Sequence, residues 1–375
     1  MKQMATTMRF SPTMLDDGRT AVLEPMGEAR PTQERLRDKF GRAITDLRVS
    51  VTDRCNYKCV YCRTGNEGAQ YTELPIEAYL QMVRQFVSLG IEKVRLTGGE
   101  PLLRSGLVDM VRELAGMRTA YLSDGSFAEN WQEGMPLDLA LTTNGHLLEG
   151  LAQPLKDAGL KRVTVSMDAV DAETFSAITR VPRSFDKVMA GIRRAQDVGL
   201  GPVKVNCVLL RGFNDGQIEQ FAEFSRREGV IVRFIEWMPL EEDRTWTREA
   251  VVSMEEIVAR LNAYRPLVEL APHAASETAK RFTFDDGIGE IGIIAPVSRP
   301  FCGHCSRVRL TSDGKIRTCL FSQSDHDLYG EMVRGGTDEE LRAYIRKIVL
   351  RKEARHHIGE PDFQKPSRNM VHIGG

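Results

Sequence analysis

The chain lacks the features that mark membrane, secreted and nucleic-acid-binding proteins. No uninterrupted apolar run approaches the ~20 residues that a membrane helix needs, and residues 1–15 lack the apolar stretch of a signal peptide. Lys and Arg number 51 against 52 Asp and Glu, so the net charge of −1 creates no field that attracts a nucleic acid or a membrane surface. We therefore expect a soluble, cytoplasmic protein without a membrane or nucleic-acid partner, in which any anion site is local.

The composition also excludes a disordered or fibrous protein. Of the 375 residues, 42% are hydrophobic and 27% are charged, which is close to the average for globular proteins. The length exceeds twice that of a typical domain of ~150 residues. The sequence therefore predicts one large core or two packed lobes.

Cysteine is scarce, and its placement is informative. Seven cysteines are too few for a disulfide scaffold in a chain of this length, and an odd number argues against complete pairing. Six of them form two groups of three, which in a reducing compartment favours metal binding. The groups are Cys55, Cys59 and Cys62, and Cys302, Cys305 and Cys319. The seventh, Cys207, lies in an apolar segment and is interpreted as a small buried hydrophobic residue.

The first group favours an iron–sulfur cluster over zinc. Its three cysteines fall within eight residues, and the nearest histidine in sequence is His146. A structural zinc site normally has four protein ligands, whereas three thiolates on a four-iron cluster leave one iron free for chemistry. A zinc site completed by a distant residue is the weaker alternative.

The second group leaves the choice of metal open. Here His304 lies between Cys302 and Cys305, and it could complete a zinc site with three cysteines and one histidine. The spacing alone therefore permits either zinc or a second cluster.

Strand-like and helix-like segments alternate through the first two thirds of the chain. The strand-like runs are 47–52, 93–97, 138–143, 162–167, 203–210 and 231–237, and the helical stretches are 76–89, 107–115, 147–158, 185–198 and 217–227. This alternation predicts an α/β fold of parallel βα units, and six units would form an open, partial version of the eight-unit barrel. The first cysteine group and segments 98–101, 142–145, 166–168 and 237–239 follow predicted strands, where such barrels place their sites.

The alternation stops near residue 240. Segments 281–284 and 289–295 predict a hairpin, and the G-x-G-x-x-G pattern at 287–292 is not a dinucleotide site because it leads into a strand rather than a helix. The chain is predicted to divide into a flexible N-terminal extension (1–40), a barrel (41–240), a region with the second cysteine group (241–335), and a helical segment with a Gly-Gly tail (336–375). Polar residues 118–136 are interpreted as an insertion in a βα connection.

Several motifs resemble a known superfamily and one family within it. The first cysteine group, with Tyr61 before its last member, resembles the signature of radical S-adenosylmethionine enzymes, and Gly-Gly-Glu-Pro at 98–101 resembles their second motif. Residues 302–311, with Cys-x2-Cys-Ser-Arg-Val-Arg-Leu-Thr, are similar to the GTP 3′,8-cyclase family of molybdenum cofactor biosynthesis. Asp-Gly at 313–314, Cys319 and the terminal Gly-Gly also match that family, and the resemblance runs from about residue 41 to the end.

The resemblance implies a lyase with two four-iron clusters and S-adenosylmethionine as cofactors. Its substrate would be GTP, and its product (8S)-3′,8-cyclo-7,8-dihydroguanosine 5′-triphosphate, in the first step of molybdenum cofactor synthesis. A 5′-deoxyadenosyl radical would abstract the C3′ hydrogen, and the resulting carbon radical would attack C8. One electron and one proton would then complete the product. The second cluster would contact the guanine base. No side chain is assigned as a general acid or base, because hydrogen-atom abstraction requires none.

The same resemblance implies specific residues for each ligand. The first cluster would be held by Cys55, Cys59 and Cys62, and the second by Cys302, Cys305 and Cys319; S-adenosylmethionine would contact Tyr61, Gly99, Ser166 and Met238; GTP would contact Arg48, Arg95, Thr142, Lys204, Arg307, Val308 and Arg309; and Gly374 and Gly375 would lie near the active site. Two of these have independent support. Arg307 and Arg309 alternate around Val308 and so share one face of a strand.

The resemblance also implies partners, and two alternatives stay open. A flavodoxin- or ferredoxin-like reductant and a downstream cyclic pyranopterin monophosphate synthase are expected, and a homodimer is possible. One alternative is a radical S-adenosylmethionine peptide maturase with an auxiliary cluster, although the Arg-x-Arg pair would then be unexplained. The other is a zinc-dependent nucleic-acid-binding module, against which the near-neutral charge argues.

Overall fold

The N-terminal segment is only partly defined. The computed structural model describes residues 34–62, 69–128, 130–241 and 245–374, together with the backbone of a short hairpin, β1 (Thr13–Met14) and β2 (Thr20–Ala21). Most of the predicted flexible extension, 1–40, therefore lies outside the described residues. Its last part is packed rather than flexible, because Leu36 is 1% exposed and belongs to the main hydrophobic core.

The six predicted strands are confirmed, with small shifts at their ends. They are β3 (Asp46–Ser50), β4 (Lys93–Thr97), β5 (Asp138–Thr143), β6 (Arg162–Ser166), β7 (Lys204–Leu209) and β8 (Ile231–Glu236). The helices between them are α1 (Ile76–Ser88), α2 (Leu107–Gly116), α3 (Leu148–Asp157), α4 (Ala172–Thr179), α5 (Phe185–Asp197) and α6 (Ile218–Glu228). The sequence pattern did not predict α4, because eight residues give too little helical periodicity.

The C-terminal third contains shorter elements. They are α7 (Met254–Tyr264), β9 (Leu267–Leu270), β10 (Lys280–Phe284), β11 (Glu290–Ile294), β12 (Arg307–Leu310), β13 (Lys315–Arg317), β14 (His326–Asp327), α8 (Leu328–Val333), α9 (Asp338–Val349) and α10 (Met370–Ile373). β10 and β11 pair antiparallel, which confirms the predicted hairpin and the rejection of a dinucleotide motif. None of the helices in the described ranges has the length and apolarity to cross a bilayer.

The described strands from β3 onward form one sheet, which stays open. Its order is β14-β13-β12-β3-β4-β5-β6-β7-β8-β11-β10-β9. β12 pairs parallel with β3, and β11 pairs parallel with β8, so the C-terminal region extends both edges of the six-strand core. The partial barrel is thus confirmed, with eight adjacent parallel strands. The division of the chain at residue 240 stays a prediction.

The strand pleat separates a core face from a polar face. In β3, Leu47 and Val49 are 1% and 0% exposed and pack in the main core. Arg48 lies between them, so its side chain projects from the opposite face of the sheet. The helices cover the apolar face, which leaves the polar face for a site.

The segment 118–136 connects α2 to β5. It was predicted in a βα connection, but it lies in an αβ connection, at the end of the barrel away from the first cysteine group. Two isolated bridges, Arg118 with Pro136 and Tyr121 with Phe127, give it a hairpin-like shape. It takes no part in the site described below.

Candidate active site

The polar face of the sheet and the loops after its strands enclose a cavity of about 710 Å3. It brings together most of the predicted site residues. Those that line it are Cys55, Cys59, Cys62, Tyr61, Gly99, Ser166, Met238, Arg48, Arg95, Thr142, Lys204, Arg307 and Arg309. Residues that the sequence spreads over more than 260 positions therefore share one chamber.

Hydrogen bonds join the three loops that follow β3, β4 and β5. The buried carboxylate of Glu100 accepts bonds from the hydroxyl of Thr143 at 2.7 Å and from the backbone N–H of Asn144 at 2.7 Å. Asn144 in turn donates its amide N–H to the side-chain oxygen of Asn56, in the cysteine loop, at 2.7 Å. Burial raises the pKa of Glu100 to about 7 despite these donors. Glu100 thus fixes the loops relative to one another.

The two glycines before Glu100 are required by close backbone contact. A Cβ atom on Gly98 would lie 2.5 Å from the carbonyl oxygen of Thr52, and one on Gly99 would lie 2.3 Å from that of Arg54. The N–H of Gly99 donates to the Thr52 oxygen at 2.7 Å. The loop after β4 therefore lies directly against the backbone that leads into Cys55.

The first cysteine triad is electrostatically unfavourable without a cation. Burial raises the pKa of the Cys59 thiol well above its usual value, and the negative charges of Asp168, Cys62 and Cys55 raise it further. Bound iron stabilises thiolates and reverses this effect. The donor set therefore fits a cationic metal centre.

Asp168 is a site residue that the sequence analysis did not assign. It lines the cavity, and its carboxylate accepts a hydrogen bond from the Tyr61 hydroxyl at 2.7 Å and from the Val208 N–H at 2.8 Å. Burial raises the pKa of Asp168 to about 6. The signal in the sequence was its position two residues after Ser166, which places both side chains at the end of β6.

Arginines from three neighbouring strands lie side by side on the polar face. Arg309 of β12 is in register with Arg48 of β3, and Arg48 is in register with Arg95 of β4. The Arg95 guanidinium donates to the hydroxyls of Thr142 and Thr164, each at 3.2 Å. The sheet pairing, rather than any local motif, builds this basic row.

Among the described residues, most basic side chains of the cavity have no carboxylate partner. These residues contribute eight Lys or Arg and three Asp or Glu to the lining, although the whole chain is close to neutral. Lys93 and Arg162 form ion pairs with carboxylates. For the other six, the described residues provide no carboxylate oxygen within 4.0 Å; these are Arg48, Arg95, Lys204, Arg233, Arg307 and Arg309.

The pKa values reflect this crowding of cations. Burial and the nearby Arg307 lower the pKa of Arg48 to about 9, and burial with Arg233 lowers that of Lys204 to about 8. The pKa of Arg309 is lowered well below its usual value by burial and by Arg48. A bound polyanion would offset this repulsion, because it supplies the missing negative charge.

Arg233 was missed by the sequence analysis. It lines the cavity from β8, donates to the side-chain oxygen of Asn206 at 3.0 Å, and has a pKa lowered to about 10 by burial. The sequence did carry a signal. Arg233 is a single charge in the apolar run 231–235, as Arg48 is in 47–51, and an unpaired charge in such a strand is costly.

The second cysteine triad lies beside this cavity. Cys302, Cys305 and Cys319 do not line it; Cys319 lines a separate cavity of about 380 Å3. Arg307 connects the two regions, because it lines the first cavity and its guanidinium lies 3.5 Å from the Cys305 sulfur. Although burial opposes ionisation, Arg307 and Lys352 lower the pKa of Cys305 to about 6.

Sulfur spacing argues against zinc in either triad. Two thiolates on one zinc ion, with Zn–S bonds of ~2.3 Å, lie less than ~4.6 Å apart. Within the described ranges, neither triad has all its sulfurs within 4.8 Å of one another. A four-iron cluster carries each thiolate on a different iron and so needs wider spacing. His304, the proposed fourth zinc ligand, is exposed.

One predicted GTP-site residue, Val308, differs from expectation. The side chain of Val308 is 1% exposed and packs in the main core, so it does not reach the cavity. The pleat that puts Arg307 and Arg309 on one face of β12 puts Val308 on the other.

The C-terminal tail approaches the site. Met370 and Val371 line the cavity, and the Arg309 guanidinium donates to the carbonyl oxygen of Gly374. Gly375 lies outside the described residues.

Two protein-family models match the chain in succession. The model of the radical SAM superfamily matches residues 49–225, and the model named Molybdenum Cofactor Synthesis C matches residues 230–358. A GTP 3′,8-cyclase of Acidothermus cellulolyticus is 43% identical over 333 residues, which cover 86% of this chain and 87% of that protein. A GTP 3′,8-cyclase of Peptoclostridium acidaminophilum is 39% identical over 345 residues, which cover 91% and 98%.

The chain belongs to the GTP 3′,8-cyclase family. This membership confirms the predicted radical S-adenosylmethionine enzyme class and its cofactors, S-adenosylmethionine and iron–sulfur clusters. The alternative of a zinc-dependent nucleic-acid-binding module is wrong. The crystal structure of Streptococcus suis SuiB bound to S-adenosylmethionine has a similar fold, with a TM-score of 0.56 and 12% identity, over 86% of this chain and 76% of SuiB.

Proposed function

We propose that this member of the GTP 3′,8-cyclase family binds GTP in the basic cavity and converts it to 3′,8-cyclo-7,8-dihydro-GTP, the first step of molybdenum cofactor synthesis. The observation that carries the proposal is the set of six cations without carboxylate partners among the described residues, in a cavity that the first cysteine triad lines and that Arg307 connects to the second. A triphosphate supplies several negative charges, and Arg forms bidentate bonds with phosphate. No single smaller anion would compensate the whole set.

The cysteines hold the clusters in this proposal. Cys55, Cys59 and Cys62 bind the first cluster, and Cys302, Cys305 and Cys319 bind the second. When bound, the first cluster and S-adenosylmethionine supply the radical that removes the C3′ hydrogen of GTP. The protein contributes positioning and the exclusion of water, because the cofactors carry the difficult chemistry.

Four cavity residues are assigned to S-adenosylmethionine. Gly99 has no side chain, so its backbone can contact a ligand beside the Cys55 loop. Tyr61 is held by Asp168, and Ser166 and Met238 follow β6 and β8. All four line the cavity on the side of the first triad, where S-adenosylmethionine would reach the iron that has no protein ligand.

The GTP contacts assigned to the cavity are Arg48, Arg95, Thr142, Lys204, Arg307 and Arg309, to which the structure adds Arg233 as a candidate. We assign Arg307 to the part of GTP that would lie next to the second cluster, because its guanidinium contacts the Cys305 sulfur. For Val308, only the backbone remains as a contact. The assignment of individual phosphates and of the base stays a proposal.

GTP binding should weaken as the pH rises above 8. The Lys204 pKa is lowered to about 8 by burial and by Arg233, and a bound phosphate would raise it, so binding above pH 8 requires proton uptake. Affinity should therefore fall up to ~10-fold per pH unit. Calorimetric titration with GTP from pH 7.5 to 9.5 measures this. Lys204→Arg should lose the dependence that begins near pH 8 and keep the dependence that begins near pH 9, which comes from Arg48. An equal dependence in both proteins would remove Lys204 from the site.

Gly374→Ala should impair turnover more than stability. Gly374 has φ of +67°, and a Cβ there would lie 2.8 Å from Thr97 Cγ2, so alanine would displace the tail from Arg309. We expect a rate more than ~10-fold lower with little change in the melting temperature, because the substitution removes no buried apolar side chain: Val371 and Ile373, which pack in the tail, are retained. Gly212→Ala is the matched control: Gly212 has φ of +81° but no atom near its Cβ position. Equal rates for the two variants would show that the tail plays no part in turnover.

Product analysis tests the proposed function directly. The reconstituted enzyme is incubated anaerobically with S-adenosylmethionine, a reductant and GTP. The nucleotides are then separated, and their masses are determined by mass spectrometry. We expect 5′-deoxyadenosine and an isomer of GTP with a C3′–C8 bond in equal amounts. No 5′-deoxyadenosine with GTP, but turnover with a peptide, would favour the peptide-maturase alternative.

The proposed partners follow from this chemistry. Reductive cleavage of S-adenosylmethionine needs one electron, which supports a flavodoxin- or ferredoxin-like donor. The product is an intermediate, which supports a downstream cyclic pyranopterin monophosphate synthase. None of the seven cysteines forms a disulfide, which supports a reducing, cytoplasmic location. We also propose a homodimer.

A further inference from the structure

Lys352 lies buried between the two segments that carry the second cysteine triad. It follows α9, and only 3% of its surface is exposed. Its ammonium donates to the carbonyl oxygen of Arg307 at 2.8 Å and to the carbonyl oxygen of Thr318. Arg307 comes two residues after Cys305, and Thr318 directly precedes Cys319. One side chain therefore joins the backbones of both cysteine-bearing segments.

The charge of Lys352 is directed at the triad. Its ammonium acts electrostatically on the sulfurs of Cys302, Cys305 and Cys319. Within the part of the chain that the structure describes, no carboxylate forms an ion pair with it; both of its hydrogen-bond acceptors are neutral carbonyls. A buried cation is costly without a negative partner. The thiolates, and a cluster bound by them, are the negative groups within its reach.

The residues after Lys352, 353–356, also contact the segments that carry the second triad. The carboxylate of Glu353 accepts a hydrogen bond from the Thr318 hydroxyl at 2.7 Å, and the backbone of His356 partly offsets the rise that burial causes in the pKa of the Cys302 thiol. Arg42 donates to the carbonyl oxygen of Cys302 at 2.7 Å and to that of Glu353 at 2.6 Å, so it links the backbone of Glu353 to that of Cys302.

We propose that Lys352 is a positioning residue of the second cluster, which fixes the separation of the Cys305 and Cys319 segments and supplies a positive charge that raises the cluster's reduction potential. The inference rests on the proposed second cluster and deepens it. Net charge and hydrogen bonding near a cluster set its potential, and residues behind metal ligands commonly change metal affinity by ~10–100-fold. Lys352 provides both a positive charge near the cluster and hydrogen bonds that join the two cysteine-bearing segments.

The test compares three variants of the full chain. Lys352→Met removes the charge and the hydrogen bonds at similar length, Lys352→Arg keeps the charge, and Lys347→Met changes an exposed lysine of α9 as the matched control. Iron and sulfide are counted after anaerobic reconstitution. The reduction potential of the second cluster is measured by electron paramagnetic resonance in a Cys55→Ala background.

We expect Lys352→Met either to lose the iron of the second cluster alone, at least ~10-fold in affinity, or to keep it with a more negative potential. Lys352→Arg should restore the iron and lie nearer the wild-type potential, and Lys347→Met should equal the wild type. Unchanged iron and potential in Lys352→Met would overturn the inference. So would loss of both clusters, which would show a general folding role, or an arginine variant no better than methionine.

The failure of this inference differs from that of the proposed function. A wild-type chain that binds no second cluster contradicts the proposed function. A wild-type chain with two clusters and an unaffected Lys352→Met variant contradicts only the role of Lys352.

Discussion

Replacing Cys55 by alanine is expected to abolish the formation of 5′-deoxyadenosine. The first triad already has only three sulfurs for a four-iron cluster, and the loss of one leaves two irons without a protein ligand. Residues that merely support metal ligands change activity by ~10–100-fold, so the loss of a ligand itself should cost at least ~100-fold. Chromatographic quantification of 5′-deoxyadenosine after anaerobic incubation measures the effect.

Cys207→Ala is the matched control for this prediction. Cys207 undergoes the same chemical change, but it is 0% exposed, belongs to the hydrophobic core and does not line the cavity. Its loss should cost some stability and leave 5′-deoxyadenosine formation within about two-fold of the wild type. Substantial 5′-deoxyadenosine from Cys55→Ala would show that the first triad does not hold the reactive cluster.

The double variant Arg307→Ala with Arg309→Ala should weaken GTP binding by at least ~100-fold. Each lost hydrogen bond between a guanidinium and a charged phosphate costs roughly 1.5–3 kcal/mol, and two such losses multiply in affinity. Both side chains project from one face of β12 into the cavity, beside Arg48. Calorimetric titration of the reconstituted variant with GTP gives the change.

Arg299→Ala controls for the loss of a cation in the same region. Arg299 is exposed and pairs with Glu255 instead of lining the cavity. Iron should be counted in each protein, because Arg307 lies 3.5 Å from the Cys305 sulfur. Wild-type GTP affinity in the double variant, with its iron intact, would remove both arginines from the substrate site.

Local patterns predicted the barrel well because its elements are strongly periodic. The strand at 93–97 and the strand at 138–143 agree with β4 and β5 at both ends, and the amphipathic helices agree within two residues. Arg48 was also predictable, since a charge in a buried strand needs a partner or a ligand. The same rule applies to Arg233, so the sequence also indicated that this residue needs a partner or a ligand.

Other parts of the site depend on pairings that no local pattern encodes. The basic row exists because β12 pairs with β3, which places Arg309 beside Arg48 from the opposite end of the chain. Lys352 binds carbonyl oxygens, which every residue possesses, so its sequence context gives no signal. The exposure of His304, and with it the argument against zinc, likewise depends on the folded loop.

Iron and sulfide analysis tests the central claim, that each cysteine triad holds its own four-iron cluster. The chain is purified without oxygen and compared with a variant in which Cys302, Cys305 and Cys319 are all alanine. We predict about eight irons and eight sulfides for the wild type, and about four of each for the variant. Stoichiometric zinc in the wild type, or the same iron content in both proteins, would contradict this account.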